Sequence, residues 1–124
     1  MQLALYIAAA LIVTLAIAHS YLGERYILVR LFRRNDLPKL LGSTDFTVRT
    51  LRFAWHVTSV AWMGLAAILV VLAHPPATSS TLGLIIGCTF LIHFTIVLIA
   101  SRGKHLSWPL FLMIGIIAIY ATRT

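Results

Sequence analysis

Four of the five histidines in this chain stand near one end of its apolar segments, together with one carboxylate. His19 and His56 each lie ~4.5 Å inside an apolar run if that run is helical, and His93 lies ~10 Å inside from the same end. His105 and Glu24 border that end. Neutral imidazole is the commonest ligand of zinc, copper and iron in proteins. The pattern therefore predicts a metal site formed by His19, His56, His93, His105 and Glu24.

The matched depths of His19 and His56 also suit an axial pair that holds haem b between facing helices. Arginines flank the same end, and a guanidinium group binds a carboxylate through paired hydrogen bonds. We therefore predict that Arg52 and Arg102 pair with the haem propionates. The cofactor expected is haem b or a transition metal, namely Fe, Cu or Zn. No HxxxH or ExxH spacing occurs, so this prediction rests on helix topology alone.

Three other functions stay open. The first is a non-catalytic accessory or assembly subunit of a larger membrane complex. The second is a small oligomeric transporter whose histidines relay protons. No Asp or Glu falls inside an apolar span, which argues against a cation-coupled carrier. The last possibility is a quinone or lipid site, in which aromatic and polar side chains surround a headgroup and two arginines bind its phosphate. Those side chains are Arg49, Arg52, Trp55, His56, Ser59 and Trp62.

The composition requires lipid as the solvent of these segments. Of 124 residues, 60% are hydrophobic and 10% are charged, whereas soluble domains carry roughly 25% charged residues. The run 53–73 alone would span ~30 Å as a helix, the thickness of a bilayer core. We predict an all-α integral membrane protein, a four-transmembrane-helix bundle forming a single membrane domain over 1–124. Its helices are expected at about 3–22, 45–73, 82–100 and 106–122.

The basic residues are distributed unevenly about these segments. All but Arg123 flank the loops 23–44 and 101–105, and loops rich in Lys and Arg remain cytoplasmic. We therefore expect an integral inner (plasma) membrane protein of a bacterium, with both termini on the outer, periplasmic side. We therefore attribute the formal charge of +7 to contacts with anionic lipid headgroups rather than with nucleic acid. A homo-oligomer or a larger membrane complex is a further expected partner.

Local signals refine the segments. We expect the first helix to continue past the membrane through Glu24 to Leu31. Asp45 marks the start of the second helix. Pro75 and Pro76 end that second helix because proline cannot continue it. Gly83 and Gly87 form a GxxxG spacing that allows close helix approach.

Residues 56–64, HVTSVAWMG, are similar to the His-then-Trp-Gly helix of the haem-linked copper-resistance and protoporphyrinogen-oxidase membrane families. The similarity covers one helix. The His-to-Trp spacing is one residue shorter here, which turns the two side chains to different relative faces. The resemblance implies a haem-associated membrane helix, but it does not assign haem ligation to His56.

Overall fold

A computed structural model describes residues 1–123 as four helices joined by short loops. They are α1 (Gln2–Leu31), α2 (Asp45–Ala73), α3 (Ser79–Ala100) and α4 (Trp108–Ala121). The predicted all-helical fold is confirmed. The first three helices are long and apolar enough to cross a bilayer, which indicates a membrane location. α4 has 14 residues and is therefore only ~21 Å long, shorter than a bilayer core of ~30 Å.

The helices pack in sequence order as an open antiparallel row. α1 contacts α2, α2 contacts α3 and α3 contacts α4, but no Cα of α1 lies within 8 Å of a Cα of α3 or α4. The row therefore presents two broad apolar faces, whereas the predicted bundle would enclose a centre. The physical reason is that apolar helix faces gain little from covering one another in lipid, so close packing is confined to seams of small residues.

The first helix changes its winding near its end. Its segment Gln2–Leu22 is α-helical, Gly23–Leu28 is π-helical, and Val29–Leu31 is α-helical again. The predicted continuation to Leu31 is thus confirmed, and the first loop shortens to 32–44. A π-turn inserts an extra residue into the helix and turns the following side chains to a new face; such turns are frequent at functional sites.

The α3–α4 seam is built on glycines. A Cβ on Gly87 would lie 2.8 Å from the Gly115 carbonyl oxygen, and a Cβ on Gly115 would lie 2.8 Å from the Leu91 side chain. A Cβ on Gly83 would overlap the Thr122 side chain. Both glycines of the predicted GxxxG spacing therefore make the expected close helix contact, and their partner is α4.

The loops at the basic end, 32–44 and 101–107, are held by polar contacts. Arg34 forms an exposed ion pair with Asp36 at 2.6 Å, and its hydrogen bond lowers the pKa of that carboxyl. The Thr47 hydroxyl donates to the Pro38 carbonyl at 2.8 Å and so holds the loop against the first turn of α2.

At the opposite end, Thr78 caps α3 by accepting from the Thr81 N–H at 3.1 Å, so that α3 begins before the predicted residue 82.

Candidate functional site

The seam between α1 and α2 divides the polar residues of these helices into two groups. Ala16, Gly23 and Ser59 are buried in the seam. Side chains one position along a helix are turned by about 100°. His19 and Ser20 therefore lie on the two flanks of the α1 contact face, and Trp55 and His56 lie on the two flanks of the α2 face.

One flank carries a continuous polar network. The Glu24 carboxylate accepts from the Arg52 guanidinium at 3.0 Å and lies 3.1 Å from His56 Nε2. The other ring nitrogen, Nδ1, lies 3.0 Å from the Ser20 hydroxyl oxygen. The Ser20 hydroxyl donates to the Ser59 oxygen at 2.7 Å. Helices α1 and α2 are thus joined by a chain of contacts from Arg52 to Ser59.

The chemistry of this network follows from its donors and acceptors. An ionised carboxylate only accepts, so His56 Nε2 must carry a proton to bond Glu24. When Ser20 donates to Ser59, Nδ1 must also donate, and the ring is an imidazolium. A neutral ring fits the same contacts if both hydroxyl protons reverse direction. The same heavy-atom arrangement therefore accommodates both the charged and the neutral form of His56.

Two cavities lie beside His56. One, of about 300 Å³, runs between α2 and α3 and carries Arg49, Arg52 and His56 together with apolar residues. Its other lining residues are Asp45, Val48, Phe53, Ile96 and Ala100. The second, of about 250 Å³, lies between α1 and α2 and is lined mainly by small and apolar side chains, with Ser20 and Ser59. His56 is thus accessible from two lateral grooves of the row.

Arg49 is fixed at the mouth of the first cavity. Its Nε donates to Asp45 at 2.9 Å, and its Nη1 donates to the Ala100 carbonyl at 3.1 Å. Arg52 lies on the same helix face, with its guanidinium carbon 4.9 Å from the centre of the Phe32 ring. The two guanidinium groups are therefore positioned by separate partners at the edge of one groove.

His19 lies on the other flank of the α1–α2 seam. Its ring stacks on Trp55 with centroids 4.6 Å apart, and the Trp55 indole N–H donates to the His19 carbonyl at 2.9 Å. Gly23 makes this approach possible, because a Cβ there would overlap the indole. His19 and His56 are therefore not brought together as an axial pair.

The remaining predicted ligands are also separated. His93 is buried against α2, where its Nε2 donates to the Val57 carbonyl at 3.2 Å. His105 lies beside Phe53, with ring centroids 5.0 Å apart, and bonds Ser107 at 2.8 Å. Arg102 is exposed in a loop at φ 53°. Across residues 1–123, no three His, Cys, Asp or Glu side chains gather closely enough to hold a metal ion.

Of the predicted metal set, only His56 and Glu24 meet. His93 lies in the α2–α3 seam and His105 in a loop, whereas His19 lies in the α1–α2 seam on the flank opposite His56. Ser20 is a participant that the sequence prediction missed; its only signal is a hydroxyl at the edge of an apolar run.

No protein family matches this chain, and no curated protein or solved structure is detectably similar to it. The geometry of the site is thus the basis for assigning its chemistry.

Gly23→Ala tests the seam that positions the network. The added methyl group must displace the Trp55 indole, and overpacking of this kind costs about 1–3 kcal/mol. We expect a lower midpoint of unfolding in detergent and a changed near-ultraviolet tryptophan signal. Leu22→Ala is the control, because Leu22 is exposed and its truncation leaves the indole in place. Equal effects of the two substitutions would show that the close approach is unimportant.

Proposed function

We propose that this protein binds the headgroup of an anionic amphiphile, a phospholipid or a related lipid phosphate, in the cavity between α2 and α3. The supporting observation is the division of that cavity's lining. Its polar lining is Arg49, Arg52 and His56 with Asp45, which already accepts from Arg49, and apolar residues such as Phe53 and Ile96 complete it. A ligand with a charged head and a hydrocarbon tail matches both parts.

Arginine is the side chain best suited to the head. Its planar guanidinium presents five donors that match phosphate oxygens in pairs. Arg49 uses Nε and Nη1 on protein partners, and Arg52 uses Nη2 on Glu24, so both retain donors for a ligand. Because both lie at the edge of the apolar span, a phosphate bound there is at the depth of lipid headgroups.

Glu24 has a second role in this proposal. It is the partner of both Arg52 and His56 while the cavity holds no anion, since one carboxylate contacts both. An incoming phosphate competes with Glu24 for Arg52, and His56 then retains Glu24 as its partner. Binding is therefore an exchange of anions, which favours ligands of higher charge over zwitterionic ones.

Arg52→Gln tests the proposal. Loss of a hydrogen bond to a charged group costs about 1.5–3 kcal/mol, or roughly ten- to a hundredfold in affinity. We expect phosphatidylglycerol, titrated into zwitterionic micelles, to raise the unfolding temperature of the wild-type protein and to require a correspondingly higher concentration for the variant. Arg33→Gln is the matched control, since Arg33 is exposed in the loop 32–44. The same titration curve for wild type and Arg52→Gln contradicts the proposal.

A second candidate is the predicted binding of haem or a transition metal through His56. One observation favours it: metal-bound imidazole commonly donates its other N–H to a carboxylate, and Glu24 is placed to accept from His56. Ser20 would have to move from Nδ1 to admit an iron or a zinc. This candidate does not include an axial partner at His19.

Gently purified protein from cells supplied with haem and metals distinguishes the candidates. A Soret band or near-stoichiometric Fe, Cu or Zn that disappears in His56→Ala supports the cofactor. A colourless, metal-free and folded protein refutes it. The accessory-subunit and transporter functions stay predictions; a co-purifying protein partner supports the former, and uptake into liposomes supports the latter.

We further infer that the protein lies in a bacterial inner membrane with its basic loops in the cytoplasm. The support is the charge asymmetry between the two ends of the row. Alkaline phosphatase fused after residue 123 is then expected to be active, and green fluorescent protein fused there is expected to be dark. The reverse pattern contradicts this orientation, or shows that the short α4 does not cross the bilayer.

A further inference from the structure

A turn at the basic end exposes leucine where turns usually carry glycine or asparagine. Leu40 and Ser43 exchange backbone hydrogen bonds of 2.9 and 3.3 Å across the turn. Leu41 and Gly42 occupy its two central positions with φ values of 55° and 89°. A side chain with a Cβ is strained at such a φ, and Leu41 is 70% exposed. The protein therefore holds an apolar side chain at the tip of a polar loop, in a conformation that leucine disfavours.

This turn adjoins a second exposed leucine. A cavity of about 490 Å³ separates the turn from the loop 101–107. Leu40, Leu41 and Phe46 line one side, and Lys104, His105 and Leu106 line the other. Leu106, which is 87% exposed, lies two residues before the start of the apolar α4 at Trp108. The leucines of the turn thus share a cavity with an exposed leucine next to the start of α4.

Three cations without an ion pair in the described part of the chain lie close to these leucines in the sequence, and Lys104 lines the same cavity. Lys39, Arg102 and Lys104 are exposed. Among residues 1–123 the ion pairs involve Arg34, Arg49, Arg52 and His56, and none involves these three cations. An apolar patch with free ammonium and guanidinium groups at its rim complements one surface in particular, an anionic lipid leaflet.

We propose that this leucine turn surface, formed by Leu40, Leu41 and Leu106 with Lys39, Arg102 and Lys104, inserts into the headgroup region of an anionic leaflet. The leucines enter the interface while the cations bind lipid phosphates around them. The loop 32–44, which Thr47 holds against α2, is thereby fixed at the membrane rather than extended into water. This inference does not depend on a ligand between α2 and α3, because none of these six residues lines that cavity.

Site-specific fluorescence tests the insertion directly. Cys88 is the only cysteine, so Cys88→Ala gives a background for labelling Leu41→Cys with an environment-sensitive dye. Asn35→Cys is the matched control, exposed in the same loop. In vesicles of phosphatidylcholine with phosphatidylglycerol, we expect the label at 41 to emit at shorter wavelength and to be quenched by brominated acyl chains. The label at 35 is expected to be quenched by aqueous iodide instead.

Iodide quenching at 41 as strong as at 35 overturns the proposal, because the turn then faces water. Protection of the label at 41 from iodide that increases with the protein-to-lipid ratio also overturns the proposal, since a second copy of the chain then covers the turn.

The role of charge is tested with Lys39→Gln combined with Lys104→Gln. Each cation near an anionic surface contributes roughly fivefold to partitioning, so we expect weaker acyl-chain quenching only when phosphatidylglycerol is present. Unchanged quenching in this variant refutes the electrostatic part.

Leu41→Asn separates insertion from turn structure. Asparagine tolerates the left-handed conformation and keeps the turn, but it removes the apolar side chain. With the dye moved to Leu40→Cys, we expect iodide access to increase in the presence of Leu41→Asn while the unfolding temperature is maintained. Unchanged access at 40 would show that Leu41 does not hold the turn in the interface.

Discussion

The interaction on which the site depends is the pair of contacts made by one carboxylate. Glu24 reaches from α1 to both Arg52 and His56 on α2, and it does so at the boundary between apolar and polar sequence. An arginine or an imidazolium at that depth is expensive without a partner. Glu24 supplies that partner for both. Its position depends on the π-turn that begins at Gly23, the same glycine that admits the Trp55 indole.

The open row explains why polar chemistry is confined to this place. In lipid, a helix face with no protein cover is already in a suitable solvent, so the chain closes only where small residues permit contact. Ala16 and Ser59 do so in the α1–α2 seam, and Gly87 and Gly115 do so in the α3–α4 seam. The histidines are then held apart, with His19 stacked on Trp55 while His56 contacts Glu24. The grooves that remain are lateral, and two of them expose His56.

The sequence predicts the helices well because apolar length and helix-ending signals are local. The start at Asp45 and the end at Ala73 are examples, since Pro75 and Pro76 follow closely. The sequence does not predict how each helix is rotated about its own axis. α1 and α3 are apolar on nearly all sides, so no face of either is marked as the inner one. Depth correctly placed His56 beside Glu24, but it could not show that His19 turns to Trp55 instead.

The central claim is that Arg49 and Arg52 bind a lipid phosphate beside His56. The most direct measurement is a solid-state NMR distance between lipid ³¹P and arginine ¹³Cζ, recorded in bilayers that contain phosphatidylglycerol. We predict dipolar dephasing from an arginine signal that disappears in Arg52→Gln and persists in Arg33→Gln. Dephasing that is identical in wild type and Arg52→Gln, or absent from both, would contradict the account.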